Sequence, residues 1–423
     1  MTVKREQVLI EALPYIREFY DSIMVFKIGG SIMSDTAVLE DFIQDVVLLR
    51  YIGIHPIIVH GGGPEISQAM EKFGKKAEFV GGLRVTDRET LSIARMVLLG
   101  HINAELVNLI GKHGGKGIGL SGQDGMFLKA KKKALQMVEG KEPVDLGFVG
   151  DVEKVDPEIL MIMAGKGYIP VISPIATDDQ GNNFNVNADT AAGAVAIAMR
   201  AKKFFSITDV EGVRMNPDDP ASVISEFPAS DFGRLVAEGI IKGGMIPKVE
   251  ACVSVVRSGV EKAHIIYGRK HHAILFELLE RYTQRLLVII GQVQATAHRQ
   301  ALDERATLHA LIRAFLREYE SSATRHAALL ASTQFLGDEQ RGVILDRQRD
   351  VVSAVTRFLR RAYPERVDAR NQTAITMTLF GMINWTFTWL RPDGPLSYDA
   401  FADEVIALLE RGLSTPLATA SPQ

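Results

Sequence analysis

Two apolar runs near the start of the chain, VFKIGGS at 25–31 and HPIIVHGGGP at 55–64, each end in glycines and lead directly into a helical pattern. A strand that stops in glycine and feeds a helix, twice in succession, constrains the fold more than any compositional figure. It implies parallel strands joined by crossover helices, with both faces of the sheet covered. The pattern continues. DFIQDVVLLRYIG and EISQAMEKFG read as helices, while KGIGLSG, YIPVISPIA, FFSITDV and AHIIYG read as further strands. TAAGAVAIAMRA is a helix between the second and third of these, and KALQMVEGKEPVDLGFVGDVEKVD reads as an inserted hairpin.

The pattern stops near residue 270. Residues 1–270 carry 20 Lys, 11 Arg and 31 Gly, whereas residues 271–423 carry no Lys, 17 Arg and 6 Gly. Lysine and arginine have similar helix propensities, so a change of fold class does not explain the loss of lysine. Two segments of separate sequence history, joined, explain it better. The second has few turn signals and long helical periodicity, with helices expected at about 272–300, 303–319, 322–334, 338–361, 369–390 and 397–412. The boundaries expected are 1–275, 276–413 and a frayed tail at 414–423.

Charge and cysteine content remove several function classes. A net charge of −3 argues against a global nucleic-acid footprint. Cys252 is the only cysteine, which excludes an intrachain disulfide or a cysteine-cluster metal site and suits a reducing cytosol. The N-terminus lacks a signal-peptide pattern. No stretch approaches the ~20 continuous apolar residues of a membrane span. A cytoplasmic protein without membrane contact is expected.

The glycine loops point to phosphate chemistry. Lys27 precedes Gly29 and Gly30 at the carboxyl end of the first strand, where ligands bind in open α/β sheets. Glycines let backbone amides approach phosphate, and the lysine supplies a point charge. His60-Gly61-Gly62-Gly63-Pro64 repeats the arrangement, with Pro64 suited to a first helical turn whose N–H groups face an anion. His60 itself reads equally as a packed strand-end residue or a catalytic one. Arg84, after a glycine pair in GGLRVTD, could grip a carboxylate with two parallel hydrogen bonds or form an ordinary surface ion pair. Asn185 and Asn187 alternate along one strand side, and Asp189 and Thr190 could be helix caps. Thr208 and Asp209 end another apolar strand before Gly212 and Val213, and Lys248 follows the pair Gly243-Gly244. There is no P-loop at a strand–helix junction, and the G-x-G-x-x-G of Gly117, Gly119 and Gly122 lies inside a strand.

Taken in order, K-x-G-G-S, H-G-G-G-P, G-L-R-V-T-D, N-V-N-A-D, T-D-V-x-G-V and G-G-M-x-x-K closely resemble the acetylglutamate kinases of the amino-acid kinase family, over residues 10–270. The resemblance implies an α/β three-layer sandwich with a mostly parallel sheet. It implies ATP-dependent phosphorylation of the γ-carboxylate of N-acetyl-L-glutamate in arginine biosynthesis, with Mg²⁺ on the nucleotide. By the same resemblance, Lys27 and Lys248 neutralise the transferring phosphoryl group and Asp189 orients them. Gly29, Gly30, Thr208, Asp209, Gly212 and Val213 border the nucleotide. Gly62, Gly63, Arg84, Asn185 and Asn187 hold the substrate. A γ-carboxylate is already ionised near neutral pH, so no general base is needed. EALPYIREFY resembles the extra N-terminal helix of the family's arginine-inhibited, hexameric branch, and a homo-oligomer, dimer or hexamer, is expected. Family members continue past I-I-D-G-R to a final strand ending G-x-G-T. Here Tyr267 stands in place of that aspartate, and no G-x-G-T follows.

The second segment resembles the C-terminal domain of TetR-type repressors, most clearly in NWTFTWLRPDGPLSYDAFADEVIALLERGL at 384–413. The resemblance implies an all-α bundle for dimerisation and ligand binding. Without the helix-turn-helix head, no sequence-specific DNA binding is expected. The arginines of 357–361 and 366–370 read as a solvated face, and Phe380, Trp385, Phe387 and Trp389 as core. The alternative to a working kinase is a chimeric or fused chain with an inactive kinase segment, whose helical part is a regulator's ligand-binding module.

Overall fold

The computed structural model describes residues 21–423 except 137–141, 217–218, 220–221, 225, 332–337, 385, 391–393 and 415–423. The expected N-terminal helix, Trp385 and most of the tail therefore lie outside the described residues. Described residues up to Ile274 form one compact unit, and those from Leu275 form another.

The first unit carries strands β1 (Ile23–Ile28), β2 (His55–His60), β3 (Phe79–Val80), β4 (Leu83–Arg84), β5 (Gly117–Ser121) and β6 (Leu128–Lys132). They are followed by β7 (Val149–Val155), β8 (Ile169–Ser173), β9 (Ile175–Thr177), β10 (Asn183–Val186), β11 (Lys203–Thr208) and β12 (Lys262–Tyr267). Its helices are α1 (Gly30–Met33), α2 (Thr36–Tyr51), α3 (Gly63–Lys72), α4 (Arg88–Arg95), α5 (Asn103–Lys112), α6 (Glu158–Gly165), α7 (Ala188–Ala198), α8 (Phe232–Ala237) and α9 (Met245–Arg257). Six strands form one sheet in the order β12-β11-β1-β2-β8-β5. Every pairing in it is parallel. Its central strands are buried along nearly their whole length, as a parallel sheet covered on both faces requires. Phe26, Phe205 and His264 occupy matching positions on β1, β11 and β12, and their rings stack 4.8 Å and 4.7 Å apart.

The inserted hairpin is present, but its first arm precedes the stretch expected from sequence. β6 pairs antiparallel with β7, with a bulge at Lys129/Ala130. With β9 and β10 these strands close a small barrel. Gly119 and Gly122 are needed for packing. A Cβ would stand 1.9 Å from Asn103 Oδ1 at the first and 2.5 Å from the Ile175 carbonyl at the second. Arg88–Lys112 is long and apolar enough by composition to cross a membrane. It includes a π-helical stretch at Met96–Ile102, and Leu91, Ile93, Ala94, Leu98, Leu106 and Ile110 along it are core residues of this unit.

No strand follows β12 among the described residues. Helix α10 (Ala273–Gln300) comes next, then α11 (Glu304–Ala331), α12 (Asp338–Ala362), α13 (Gln372–Asn384), α14 (Thr386–Trp389) and α15 (Tyr398–Ser414). The two helices expected at 303–319 and 322–334 are a single helix, because the intervening serines lower helix propensity without forbidding it. Phe315, Tyr319 and Phe380 stack in the core of this second unit, and Tyr319 donates a hydrogen bond to Asn384. Phe380 is core as expected. Trp389 is not: it is 52% exposed and lies edge-on against Phe401. Arg357, Arg360, Arg361 and Arg370 are exposed.

Candidate functional site

Parallel register brings the glycine loops to one edge. Ile28 on β1 lies beside His60 on β2 and Ile207 on β11, so Gly29-Gly30, Gly61-Gly62-Gly63 and Thr208-Asp209 emerge together. The charged residues gather there. Lys27 Nζ lies 2.9 Å from Asp189 Oδ1, and both side chains are nearly buried. That carboxylate oxygen makes no hydrogen bond, so charge and not alignment holds the pair. Asp189 sits in the first turn of α7. Lys248, in the first turn of α9, donates to Thr208 Oγ1 at 2.9 Å, and the Thr208 hydroxyl donates to Asp209 at 3.2 Å.

The two lysines feel each other. Burial lowers the pKa of Lys248 below the ordinary lysine range, and the charge of Lys27 lowers it further, while Asp189 and Asp209 oppose both effects. Two ammonium groups held together at a strand edge form a preorganised binding place for phosphate charge.

Arg84 is the second feature. It is 6% exposed, and burial lowers its pKa. Its Nη2 donates to the Gly63 carbonyl at 2.7 Å and to Ser67 Oγ at 2.8 Å, while the guanidinium lies 4.6 Å over the Phe79 ring. Among the described residues no carboxylate pairs with it. A buried cation without an anion is costly, and a bound carboxylate relieves that cost. Asn185 reaches this side of the site by donating to Thr86 Oγ1 at 3.4 Å, and Thr86 in turn donates to the Arg84 carbonyl.

The glycine loops lie between Lys27 and Arg84. A Cβ on Gly29 would lie 3.8 Å from Lys27 Nζ, and one on Gly30 would strike Pro64 at 2.6 Å. Pro64 follows Gly63, whose carbonyl Arg84 holds. The glycines differ in purpose. Gly62 is needed by packing, because a Cβ there would lie 2.5 Å from Ile102 and 2.8 Å from Leu98. Gly29 and Gly63 have room for a methyl group and need no left-handed backbone. The fold does not demand glycine at either position, and glycine leaves the backbone there open to a closely approaching ligand. Gly29→Ala is therefore expected to keep its melting temperature within about 3 °C while losing at least about tenfold in kcat/KM for nucleotide. Differential scanning calorimetry beside initial-rate kinetics checks both.

Three expected site residues also have structural parts. The Asn187 side chain caps α7, accepting from the amides of Asp189 and Thr190 at 2.9 and 3.1 Å. The cap expected from Asp189 or Thr190 is thus supplied by Asn187, which frees Asp189 for Lys27. The Val213 side chain packs with Leu235, Ile241, Val249 and Val253, leaving only its backbone for a ligand. Gly212 adopts a φ of +128°, a turn conformation few other residues tolerate. Ser67 and Thr86 were not singled out in the sequence. Ser67 lies one turn after Gly63 on α3, the only local signal it carries.

His60 is structural. It is fully buried, its Nδ1–H donates to the Gly61 carbonyl at 2.9 Å, and Nε2 then accepts from Ser173 or Asn103. Burial depresses its pKa to about 4. The unfolded chain binds this proton at about pH 6.5 and the folded chain only near 4, so His60 lowers stability progressively as pH falls through that window. His60→Asn is expected to flatten the stability–pH slope between about 6.5 and 4, as read from urea midpoints.

Comparison with known proteins agrees with this geometry. Residues 22–267 match the model of the amino acid kinase family, and residues 301–413 match that of the tetracyclin repressor-like C-terminal domain. An acetylglutamate kinase of Methanothrix thermoacetophila is 74% identical over 277 residues, covering 66% of this chain and 96% of that protein. An acetylglutamate kinase of Archaeoglobus fulgidus is 52% identical over 277 residues, covering 65% and 96%. Among solved structures, N-acetylglutamate synthase from Neisseria gonorrhoeae aligns with a TM-score of 0.53 at 23% identity, over 63% of this chain and 58% of that one, a likeness of fold. With its parallel sheet, its lysine pair and its strand-end glycines, the chain belongs to the amino acid kinase family.

Proposed function

We propose that residues 1 to about 275 phosphorylate the γ-carboxylate of N-acetyl-L-glutamate with ATP, giving N-acetyl-L-glutamyl 5-phosphate, a step of arginine biosynthesis. The carrying observation is the pairing of two mutually repelling lysines with a buried arginine that no carboxylate meets among the described residues, joined through the glycine loops. One end suits a polyphosphate and the other a carboxylate. The acceptor's identity follows the names of the relatives.

In this reading a γ-carboxylate oxygen attacks the γ-phosphorus, the new O–P bond forms, and the bond to the β-phosphate oxygen breaks to release ADP. Lys27 and Lys248 offset the charge that develops, with Asp189 holding Lys27 in place. Amides of Gly29, Gly30, Gly62 and Gly63 face the ligands from helix starts, where N–H groups lack intrahelical partners. Arg84 holds the substrate α-carboxylate, and Asn185 holds its far side. Thr208, Asp209, Gly212 and Val213 border the nucleotide. Mg²⁺ bound to the nucleotide would supply further positive charge beside its phosphates. The carboxylates at the lysine pair, Asp189 and Asp209, already face Lys27 and the Thr208 hydroxyl, which fits a metal carried by phosphate oxygens instead of a protein cage.

Nothing in the site favours the alternative with an inactive kinase segment, since Lys27, Lys248, Asp189 and Arg84 all stand in their motif positions. We place the protein in the cytoplasm as a homo-oligomer acting on a small molecule, with the helical segment as a dimerisation or ligand-binding bundle. ADP release from the full chain tests the acceptor: N-acetyl-L-glutamate should support turnover at least about tenfold above glutamate, aspartate or carbamate. Equal rates with all four would overturn the assignment.

A further inference from the structure

Just after Arg269, close to where the strand-and-helix pattern gives way to long helices, two histidines converge on two aspartates. His271 Nδ1 lies 2.5 Å from Asp41 Oδ2, and His272 Nδ1 lies 2.6 Å from Asp45 Oδ1. The aspartates are four apart on α2 and so share one face of it. Adjacent residues of an extended chain point to opposite sides, but His272 adopts a left-handed backbone with φ +46°. That turn brings the two imidazole rings to centroids 4.2 Å apart, both toward α2. A histidine held in a sparsely populated conformation is a reason to ask what its ring serves.

We propose that Asp41, His271 and His272 form a binding site for a zinc-like divalent transition metal. One ligating atom from each of the three lies within 4.8 Å of the others. Two imidazoles and a carboxylate suit Zn²⁺, Co²⁺ or Ni²⁺ and do not suit Mg²⁺ or Ca²⁺, which take oxygen ligands. Asp45 completes the arrangement. It is 1% exposed, accepts from the Ile274 amide at 3.2 Å and holds one nitrogen of His272, leaving the other for the metal. A buried carboxylate behind a ligating histidine is the usual means of fixing its tautomer and orientation. Metal–ligand bonds of about 2.0–2.1 Å set ligand atoms roughly 3.3 Å apart, so Asp41 and His271 must separate by under about 1 Å. His271 is half exposed, and a side-chain rotation covers a shift of that size. The ion would clip α2 to the segment after β12, at the place where the family's own closing strand is missing from the sequence.

Zn²⁺ titrated into the full chain without nucleotide, against a chromophoric chelator, tests the site, with Co²⁺ absorption reporting nitrogen and oxygen ligation. One equivalent should bind and raise the melting temperature. His271→Ala and Asp41→Asn should each weaken binding at least about tenfold, and Asp45→Asn about 10–100-fold with stoichiometry kept. His298→Ala, in α10, should leave affinity unchanged. No stoichiometric binding, or an affinity indifferent to His271→Ala and Asp41→Asn, overturns the site and leaves the four residues as ion pairs only. His271 is exposed, so its variant decides the matter even if Asp45→Asn fails to fold.

Discussion

Lys27→Ala and Lys248→Ala each lower kcat by about 10²–10³-fold with the fold intact, the usual loss when one preorganised charge is withdrawn from a developing anion. The double variant loses less than the product of the two, because the lysines act on the same phosphoryl charge. The two singles differ in a second respect. Lys27 is held by Asp189, whereas Lys248 is depressed by burial and by Lys27 itself. Deprotonation of Lys248 removes the charge it contributes, so kcat/KM falls as pH rises through a pKa below the ordinary lysine range. Lys248→Arg moves that alkaline limb upward while costing some rate, because guanidinium stays protonated. Both readouts come from pH–rate profiles of purified variants with matched thermal melts. A Lys27→Ala enzyme with unchanged kcat would remove Lys27 from the chemistry.

Arg84→Lys produces the next largest effect, and it falls on a different substrate. Truncating one partner of a buried charge pair costs about 2–5 kcal/mol, which is about 30-fold or more in kcat/KM for acetylglutamate. Lysine keeps the charge but cannot hold the Gly63 carbonyl and Ser67 while also gripping a carboxylate from a planar fork. The KM for ATP should move by less than about threefold, and the melting temperature should rise once acetylglutamate is added to wild type but not to the variant. A loss shared equally between the two substrates would mean that Arg84 only supports the glycine loop. Wild-type stabilisation by acetylglutamate in the absence of nucleotide separates these outcomes.

The site was legible in the sequence to the extent that it is local. Lys27 with Gly29-Gly30, the glycines after His60 and the Thr208-Asp209 pair each stand at a strand end, and parallel register carries them to one edge. What joins them is long-range. Nothing near Arg84 in sequence announces Ser67 or the Gly63 carbonyl, which lie on another element. The capping of α7 was misassigned for a local reason: Asn187, Asp189 and Thr190 are all competent caps, and only backbone geometry selects Asn187. The glycines of 117–122 show the opposite limit, since a phosphate-like spacing there serves packing against Asn103 and Ile175. In the helical segment, periodicity located the helices but could not tell that 304–331 runs unbroken, or that Trp389 is exposed while Phe380 is core.

On the proposed function, this chain, with its helical extension in place, makes an acyl phosphate. Hydroxylamine trapping of the product, with the full-length protein, ATP, Mg²⁺ and N-acetyl-L-glutamate, reads it directly. The expected result is a hydroxamate that requires both substrates and disappears in Lys27→Ala. A folded wild-type protein that binds ATP and acetylglutamate yet yields no hydroxamate above the Lys27→Ala background would contradict it.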